Sequence, residues 1–493
     1  MPNITTGKWK VPPEIRAFKP KGTMVKRGHD ENHYYVYEHS NVKGEDGKWH
    51  TKNGRLIGYI QPGLGFIRRD DLLINQGLRT LEYGQYALGY FSSEVVRTEL
   101  GLFFEPSDVA KIYSIALIMA VNGKQAIYKV PKYFEQSWLS VRYPTLKMGE
   151  DSIRQLLSDL GAKSEKPQAF QDYQLQQGSS QMIIDGHVIR NCSRENDLSA
   201  YGNKYKSLKS TQINLLTILD GKSHKPLANH FYMGNEPDKS SVKDILGRHS
   251  LKDKLFIVDK GFYSVVNMSL FSTNGNHYLI PPPKNSDSYK AVTDKMDDFH
   301  HRFVYRKGKK KSVIEYRGGT LEDGTKVYAF RDIDENMANT ESYEKHLFEG
   351  QAGFSREEYD ILKDFFGVIV LQTDDSTLTP QQMFETYKGR WAVETYYDFL
   401  KCEADYNAIG LTDYYEMQGY AFIILIASLI AFETDLACAR QCLSNILGEC
   451  FLEARAVKIH FRDGIWRVDD GLPKKLSQFM DSYNIPYDKI PTS

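Results

Sequence analysis

Cysteine is scarce in this chain: five residues, Cys192, Cys402, Cys438, Cys442 and Cys450, are scattered through 493. So thin a set builds no disulfide framework, and no signal-peptide pattern stands ahead of it, so a reducing cytosol and a cytoplasmic protein are expected. Cys438 and Cys442 lie one helical turn apart, with Cys450 beyond them. No CxxC or His-x3-His pair accompanies them, and a zinc site is not expected. A surplus of either charge is also missing, since 63 Lys and Arg face 63 Asp and Glu. No global positive field draws the chain to nucleic acid, so any DNA contact must come from local patches. The most apolar run, 420–432, is flanked by Glu416 and Glu433 and falls short of the ~20 residues that span a membrane. It reads as a buried helix, and no membrane partner is expected. Internal repeats and low-complexity tracts are lacking as well.

What is present is the composition of a folded globular chain, 41% hydrophobic and 26% charged. The length suggests roughly three domains. Residues 1–75 alternate aromatic or aliphatic with polar residues, and Asp46-Gly47 and Asn53-Gly54 favour tight turns, so a β-rich, hairpin-forming N-terminal domain is expected. Residues 76–165 change to helical periods, with Ser107 as N-cap before a helix at 109–121 and a short helix at 153–160. The stretch 148–157 fits the turn and second helix of a DNA-reading helix-turn-helix, and equally fits simple helix packing. This helical domain is assigned the binding of DNA ends. Lys8, Lys10, Lys19, Lys21, Lys26 and Arg27 cluster early, where they would neutralise phosphates or form ordinary solvated surface.

Beyond Gly178 come strand-like runs at 182–184, 213–219 and 227–233, a helix near 239–246, a strand at 255–258, a further helix and a strand at 277–280. Three strands, helix, strand, helix, strand is the order of a ribonuclease H-like core, in which an antiparallel trio is extended by parallel strands through helical crossovers. The fold class is therefore α/β. The core is assigned to 178–283 and 366–435, interrupted by a strand-rich insertion at 284–365 and followed by a C-terminal region at 436–493. The insertion carries strand-like runs at 312–317 and 326–331 and the basic run Arg306, Lys307, Lys309, Lys310 and Lys311, read as solvated or phosphate-facing. Its aromatics Phe303, Tyr305, Tyr316, Tyr328 and Phe330 are expected mainly to pack, and folding of the core is not expected to need the segment. The core resumes with a strand from Gly367 and a helix at 380–403, opened by Thr379 as cap and Pro380 in the first turn.

Asp185 follows the first strand and Asp259 the fourth, which places two carboxylates at one edge of the sheet. Hard cations such as Mg²⁺ take oxygen ligands, and a pair of ions needs a third acid nearby. On the long helix Tyr387, Arg390, Glu394 and Lys401 fall within roughly 40° of one line along the axis. Taken alone, such a stripe is an exposed row with an Arg-Glu pair at i, i+4. Asp220, Asp374 and Asp375, which also end strands, are rival ligands. His187 reads as a local hydrogen-bonding side chain and Cys402 as a packed thiol.

The spacing Tyr387-x2-Arg390-x3-Glu394-x6-Lys401 resembles the signature of DDE transposases of the insertion-sequence-four family. The blocks Ile183-Ile184-Asp185-Gly186 and Ile257-Val258-Asp259-Lys260-Gly261-Phe262 are similar to the same family, as is Gly234-Asn235 with Asp238. His187 departs from it, standing where many relatives carry threonine. The resemblance runs from about 180 to 430. It implies that Asp185, Asp259 and Glu394 hold two Mg²⁺ ions, with Mn²⁺ able to substitute, and catalyse DNA cleavage and strand transfer. It also implies that Tyr387, Arg390 and Lys401 grip DNA. The implied partners are double-stranded DNA with terminal inverted repeats and target DNA, with a homodimer in the DNA complex. The alternatives are a ribonuclease H-like nuclease that cuts without joining, and a domesticated DNA-binding protein.

Overall fold

The computed structural model describes residues 11–27, 34–43, 47–61, 65–68, 80–123, 126–191, 195–202, 209–236, 238–294, 299–308, 310–391, 411–440, 447–462, 465–468, 474–486 and 490–491. They fall into two compact units, one made of 1–87, 136–142 and 451–493, the other of 88–135 and 143–450.

In the first unit, β1 (Thr23–Arg27), β2 (Tyr34–Lys43), β3 (Trp49–Gln61) and β4 (Gly65–Arg68) form an antiparallel sheet in sequence order. Its small core gathers Ile15, Tyr34, Val36 and Ile60. Asn53-Gly54 makes no turn, contrary to expectation, but lies inside β3. A Cβ at Gly54 would stand 2.8 Å from the Glu38 Cβ, so glycine serves close approach of two strands there. The chain's last part returns to this unit. There β15 (Lys458–Arg462) pairs with both β16 (Ile465–Val468) and β5 (Thr80–Glu82).

The second unit is mixed α/β, built on one nine-stranded sheet of order β11-β12-β13-β14-β10-β9-β6-β7-β8. Its strands are β6 (Gln181–Asn191), β7 (Thr211–Asp220), β8 (Pro226–Met233), β9 (Leu255–Val258), β10 (His277–Ile280), β11 (His301–Lys307), β12 (Lys310–Thr320), β13 (Lys326–Asp332) and β14 (Val368–Thr373). β6, β7 and β8 are antiparallel, while β9 and β10 run parallel to β6. All ten residues of β7 and all four of β9 are buried, as expected of strands covered on both faces. Eight helices of this unit are labelled in chain order: α1 (Pro106–Asn122), α2 (Glu150–Ala162), α3 (Glu165–Gln177), α4 (Asp238–Arg248), α5 (Val265–Phe271), α6 (Ile333–Phe348), α7 (Pro380–Gly389) and α8 (Tyr414–Arg440). α4 leads from β8 to β9 and α5 from β9 to β10. Val242 and Ile245 of α4 and Phe271 of α5 pack with Leu216, Ile218, Phe256, Val258 and Ile280 of the sheet.

The stretch 284–365 interrupts the chain but extends the same sheet. β13 pairs with β14 from Lys326↔Thr373 to Arg331↔Val368, and β14 pairs in turn with β10. Composition marks the segment as different, but strand pairing, which composition does not reveal, joins it to the rest.

The apolar run 420–432 is the middle of α8, which is longer than the run itself suggested. It has 27 residues, enough by length and composition to cross a membrane, yet 78% of its most apolar window is buried inside the protein. α8 crosses α2 at close range. A Cβ at Gly161 would meet the Tyr415 carbonyl oxygen at 2.0 Å, and one at Gly419 would meet that of Leu157 at 2.0 Å. α2, which contains most of 148–157, buries Ile153, Leu157 and Leu160, and Arg154 pairs with Glu416 at 2.9 Å. Its first turn carries Glu150 and Asp151, acids that would repel phosphates where a recognition helix meets DNA.

Candidate active site

Parallel pairing of β6 with β9 in the register Ile184↔Val258 sets the next residues, Asp185 and Asp259, side by side at one edge of the parallel strands. β9 ends at Val258, but β6 does not end with its partner as expected. β7 pairs with it as far as Asn191, so Asp185 lies mid-strand, opposite Thr217. The Thr217 hydroxyl is buried without a hydrogen-bond partner among the described residues. His187, on the same face as Asp185, is buried too.

The two carboxylates share one cation. Arg390 places Nη1 3.6 Å from Asp185 Oδ1 and Nη2 3.8 Å from Asp259 Oδ1. The Tyr387 hydroxyl donates to Asp259 Oδ1 at 3.4 Å, and the Arg390 guanidinium lies 5.6 Å from the Tyr387 ring centre. Burial opposes the charge on Arg390, but Tyr387, Asp259 and Asp185 outweigh it and hold the guanidinium above its ordinary pKa. Burial pushes the Tyr387 hydroxyl up and keeps it protonated. The row read as an exposed stripe therefore faces inward at these two positions. Tyr387 is 3% exposed, and the Arg390 side chain 15%.

α7 begins as expected, with a capping box between Thr379 and Gln382 and Pro380 in the first turn. It ends at Gly389 with Arg390 as its C-cap, and the rest of the helix expected to 403 lies, from 392 on, outside the described residues. Glu394 and Lys401 lie outside the described residues. α7 rests on the aromatic face of β11–β13: the Phe384 ring centre is 5.3 Å from those of Tyr305 and Phe330 and 5.7 Å from that of Phe303. Lys388 reaches Glu335 of α6 at 3.5 Å. Phe384 and Glu335, which fix the Arg390 helix in place, were not singled out in the sequence. The aromatic alternation of the strands was the available signal for the first, and the second had none.

The rival acids are used elsewhere. Asp220 accepts hydrogen bonds from the Ser179, Lys222 and Ser223 backbone N–H groups. Burial raises its pKa, but the bonds from Ser223 and Ser179 prevail and hold it below the usual value. It pairs with Met182 near the start of β6, and Asp374 accepts from the Tyr278 N–H near the start of β10. Both therefore lie at the edge opposite Asp259, which follows the end of β9. Asp375 accepts from Thr377 in the next turn.

Asp185 and Asp259 offer hard oxygen donors converging on one cationic position, the donor chemistry that a divalent ion takes. Among the described residues no group of three His, Cys, Asp or Glu stands together as a metal cluster.

Acids paired where the parallel run of β6 and β9 ends, with an arginine aimed between them, form an arrangement suited to metal-assisted phosphoryl transfer. The family described as "Transposase DDE domain" matches residues 176–430, just over half of the chain. The chain belongs to this family and is a DNA transposase, an enzyme that cuts and joins DNA with divalent metal ions. No curated protein matches it by sequence. Among solved structures it is similar to one described as a cryo-EM structure of the piggyBac transposase synaptic complex with hairpin DNA. The TM-score is 0.37 and the sequence identity 11%, over 83% of this chain and 86% of that one.

Proposed function

We propose that the chain is an insertion-sequence-four-type transposase that cleaves at the ends of its element and transfers them into target DNA. The observation that carries this reading is the placement of Asp185 and Asp259 under one guanidinium. The strand order β8-β7-β6-β9-β10, an antiparallel trio extended by parallel strands through α4 and α5, supports a ribonuclease H-like core. Asp185, Asp259 and Glu394 are the acids in this reading, holding two Mg²⁺ ions for which Mn²⁺ substitutes. Ions held there would activate the attacking oxygen and stabilise the leaving one. Arg390 and Lys401 contact DNA phosphates, the first by its planar fork and the second as a point charge. Tyr387 orients Arg390 against Asp259.

The partners in this reading are double-stranded DNA with terminal inverted repeats and target DNA, with the protein acting as a homodimer on DNA in the cytoplasm. End recognition is assigned to the helical domain 76–165, which precedes the matched segment 176–430. The exposed residues Arg306, Lys310 and Lys311 at the β11–β12 hairpin add phosphate contacts. Neutralising those three should flatten the slope of log affinity against log salt by about one unit per lost contact, with an unchanged circular-dichroism spectrum. An unaltered slope would remove the hairpin from the DNA interface.

The whole reading is tested with purified protein, labelled DNA carrying candidate element ends, and Mg²⁺. Joined products are expected. Cut products alone would make the protein a nuclease, and binding without cutting would make it a domesticated DNA-binding protein.

A further inference from the structure

The arginine between the acids has a consequence for how a metal enters. Its Nη1 and Nη2 atoms each approach a different carboxylate, at 3.6 and 3.8 Å, so a single positive charge holds together two groups that would otherwise repel. The guanidinium is mostly enclosed, with a 15% exposed side chain, and its Nε has no hydrogen-bond partner among the described residues. Its contacts to the acids, 3.6 and 3.8 Å, are long for a bidentate pair, and they run from different nitrogens to different carboxylates. Arg390 is thus held near both acids without being locked to either. The helix carrying it is anchored independently, through Phe384 on the aromatic sheet face and Lys388 on Glu335.

We propose that Arg390 is an internal counter-cation that competes with divalent metal for Asp185 and Asp259, and that metal entry turns its guanidinium away from the acids toward a DNA phosphate. This rests on the reading of the two aspartates as metal ligands. The guanidinium approaches Oδ1 of each aspartate, the type of oxygen a metal would take, and a divalent ion attracts those oxygens more strongly than a monovalent cation does. Arg390 is a positioning residue here: it keeps the carboxylates converged and sets a threshold for metal loading. No covalent step is involved. Asp185 and Asp259 would exchange their guanidinium contacts for a metal ion, and the guanidinium would keep its proton.

The test is Mn²⁺ binding to the full-length protein without DNA, followed by the electron-spin-resonance signal of free Mn²⁺. Arg390→Gln should bind Mn²⁺ at least about threefold more tightly than wild type, because a repelling charge is gone, whereas Arg390→Lys should stay near wild type. A loss of fold or of simple preorganisation would weaken binding instead. As a second measurement, phenylglyoxal should modify Arg390 of the wild-type protein faster with Mn²⁺ than without it, read by peptide mass spectrometry. Equal or weaker Mn²⁺ binding by folded Arg390→Gln, or unchanged labelling of wild type, would overturn the proposal. Asp259→Asn separates it from the underlying reading. If that variant loses Mn²⁺ binding while Arg390→Gln matches wild type, the ligands stand and the competition falls. If Asp259→Asn and Asp185→Asn bind like wild type, the ligand reading falls and the competition with it.

Discussion

Strands β8, β7, β6, β9 and β10 are packed by side chains such as Ile184, Leu216, Ile218 and Val258, with helices against them. Strands β11, β12 and β13, in the same sheet, carry a cluster of rings on one face, and Arg306, Lys310 and Lys311 of their outer hairpin are exposed. The first half presents the two aspartates on adjoining strands. The second supports α7, which brings Arg390 to them. Branched aliphatic side chains on covered strands fix backbone register, the quantity that sets Asp185 beside Asp259. Aromatic rings provide a broad platform for one helix, whose angle decides where the guanidinium goes.

The strongest way to break this division of labour is to remove the ring on which α7 stands. Phe384→Ala should cost about 3–5 kcal/mol in chemical denaturation, as large-to-small changes at buried aromatics do. Phe256→Ala in the aliphatic half should cost about the same. The two should differ in activity. With both variants kept folded, Phe384→Ala should lose DNA cleavage by displacing Arg390 and the residues after it, and Phe256→Ala should retain more. Equal activities would mean that the aromatic platform has no special hold on the site.

A second contrast is acid sensitivity. On β8, His230 donates to or accepts from His249 at 3.1 Å, and His249 contacts Asp172 at 2.7 Å. Burial, and after it His249 and Arg248, hold the His230 pKa well below the ordinary value. The unfolded chain, with a histidine pKa of about 6.5, therefore binds a proton that the folded chain refuses. Stability from this residue is complete above about pH 6.5 and is lost as pH falls toward the depressed value, by up to about 1.4 kcal/mol per pH unit. Replacing His230 with Gln should flatten the fall in unfolding free energy between pH 6.5 and 5. An unchanged pH slope would show that other groups carry the acid sensitivity.

The smallest expected effect is at Lys388 and Glu335. Glu335 is 46% exposed, so the pair should contribute about 0.5 kcal/mol or less in a double-mutant cycle. A coupling several times larger would give the ion pair, and not the rings, the leading part in holding α7.

The sequence was most readable where local pattern and pairing coincide. β9 and β10 lie at 255–258 and 277–280 as expected, because short apolar runs bounded by polar residues leave little choice of boundary. β6 was cut short at 184, since its polar second half is stabilised by its distant partner β7. β11 was missed as a strand because His301, Arg302 and Arg306 obscure the alternation of Phe303 and Tyr305. The neighbourhood of Asp185 and Asp259 followed from strand order. Helical periodicity put Tyr387 and Arg390 on one side, but periodicity does not say whether that side meets solvent, and here it meets the acids.

In the proposed function Asp185 and Asp259 form the metal-binding acid pair of a DNA-joining enzyme. That assignment is tested most directly by measuring Mg²⁺-dependent cleavage and joining of labelled end DNA by wild type, Asp185→Asn and Asp259→Asn, with end binding followed in parallel. The account predicts that both variants still bind the ends and fall to background in cleavage and joining. Wild-type turnover by either folded variant would contradict it.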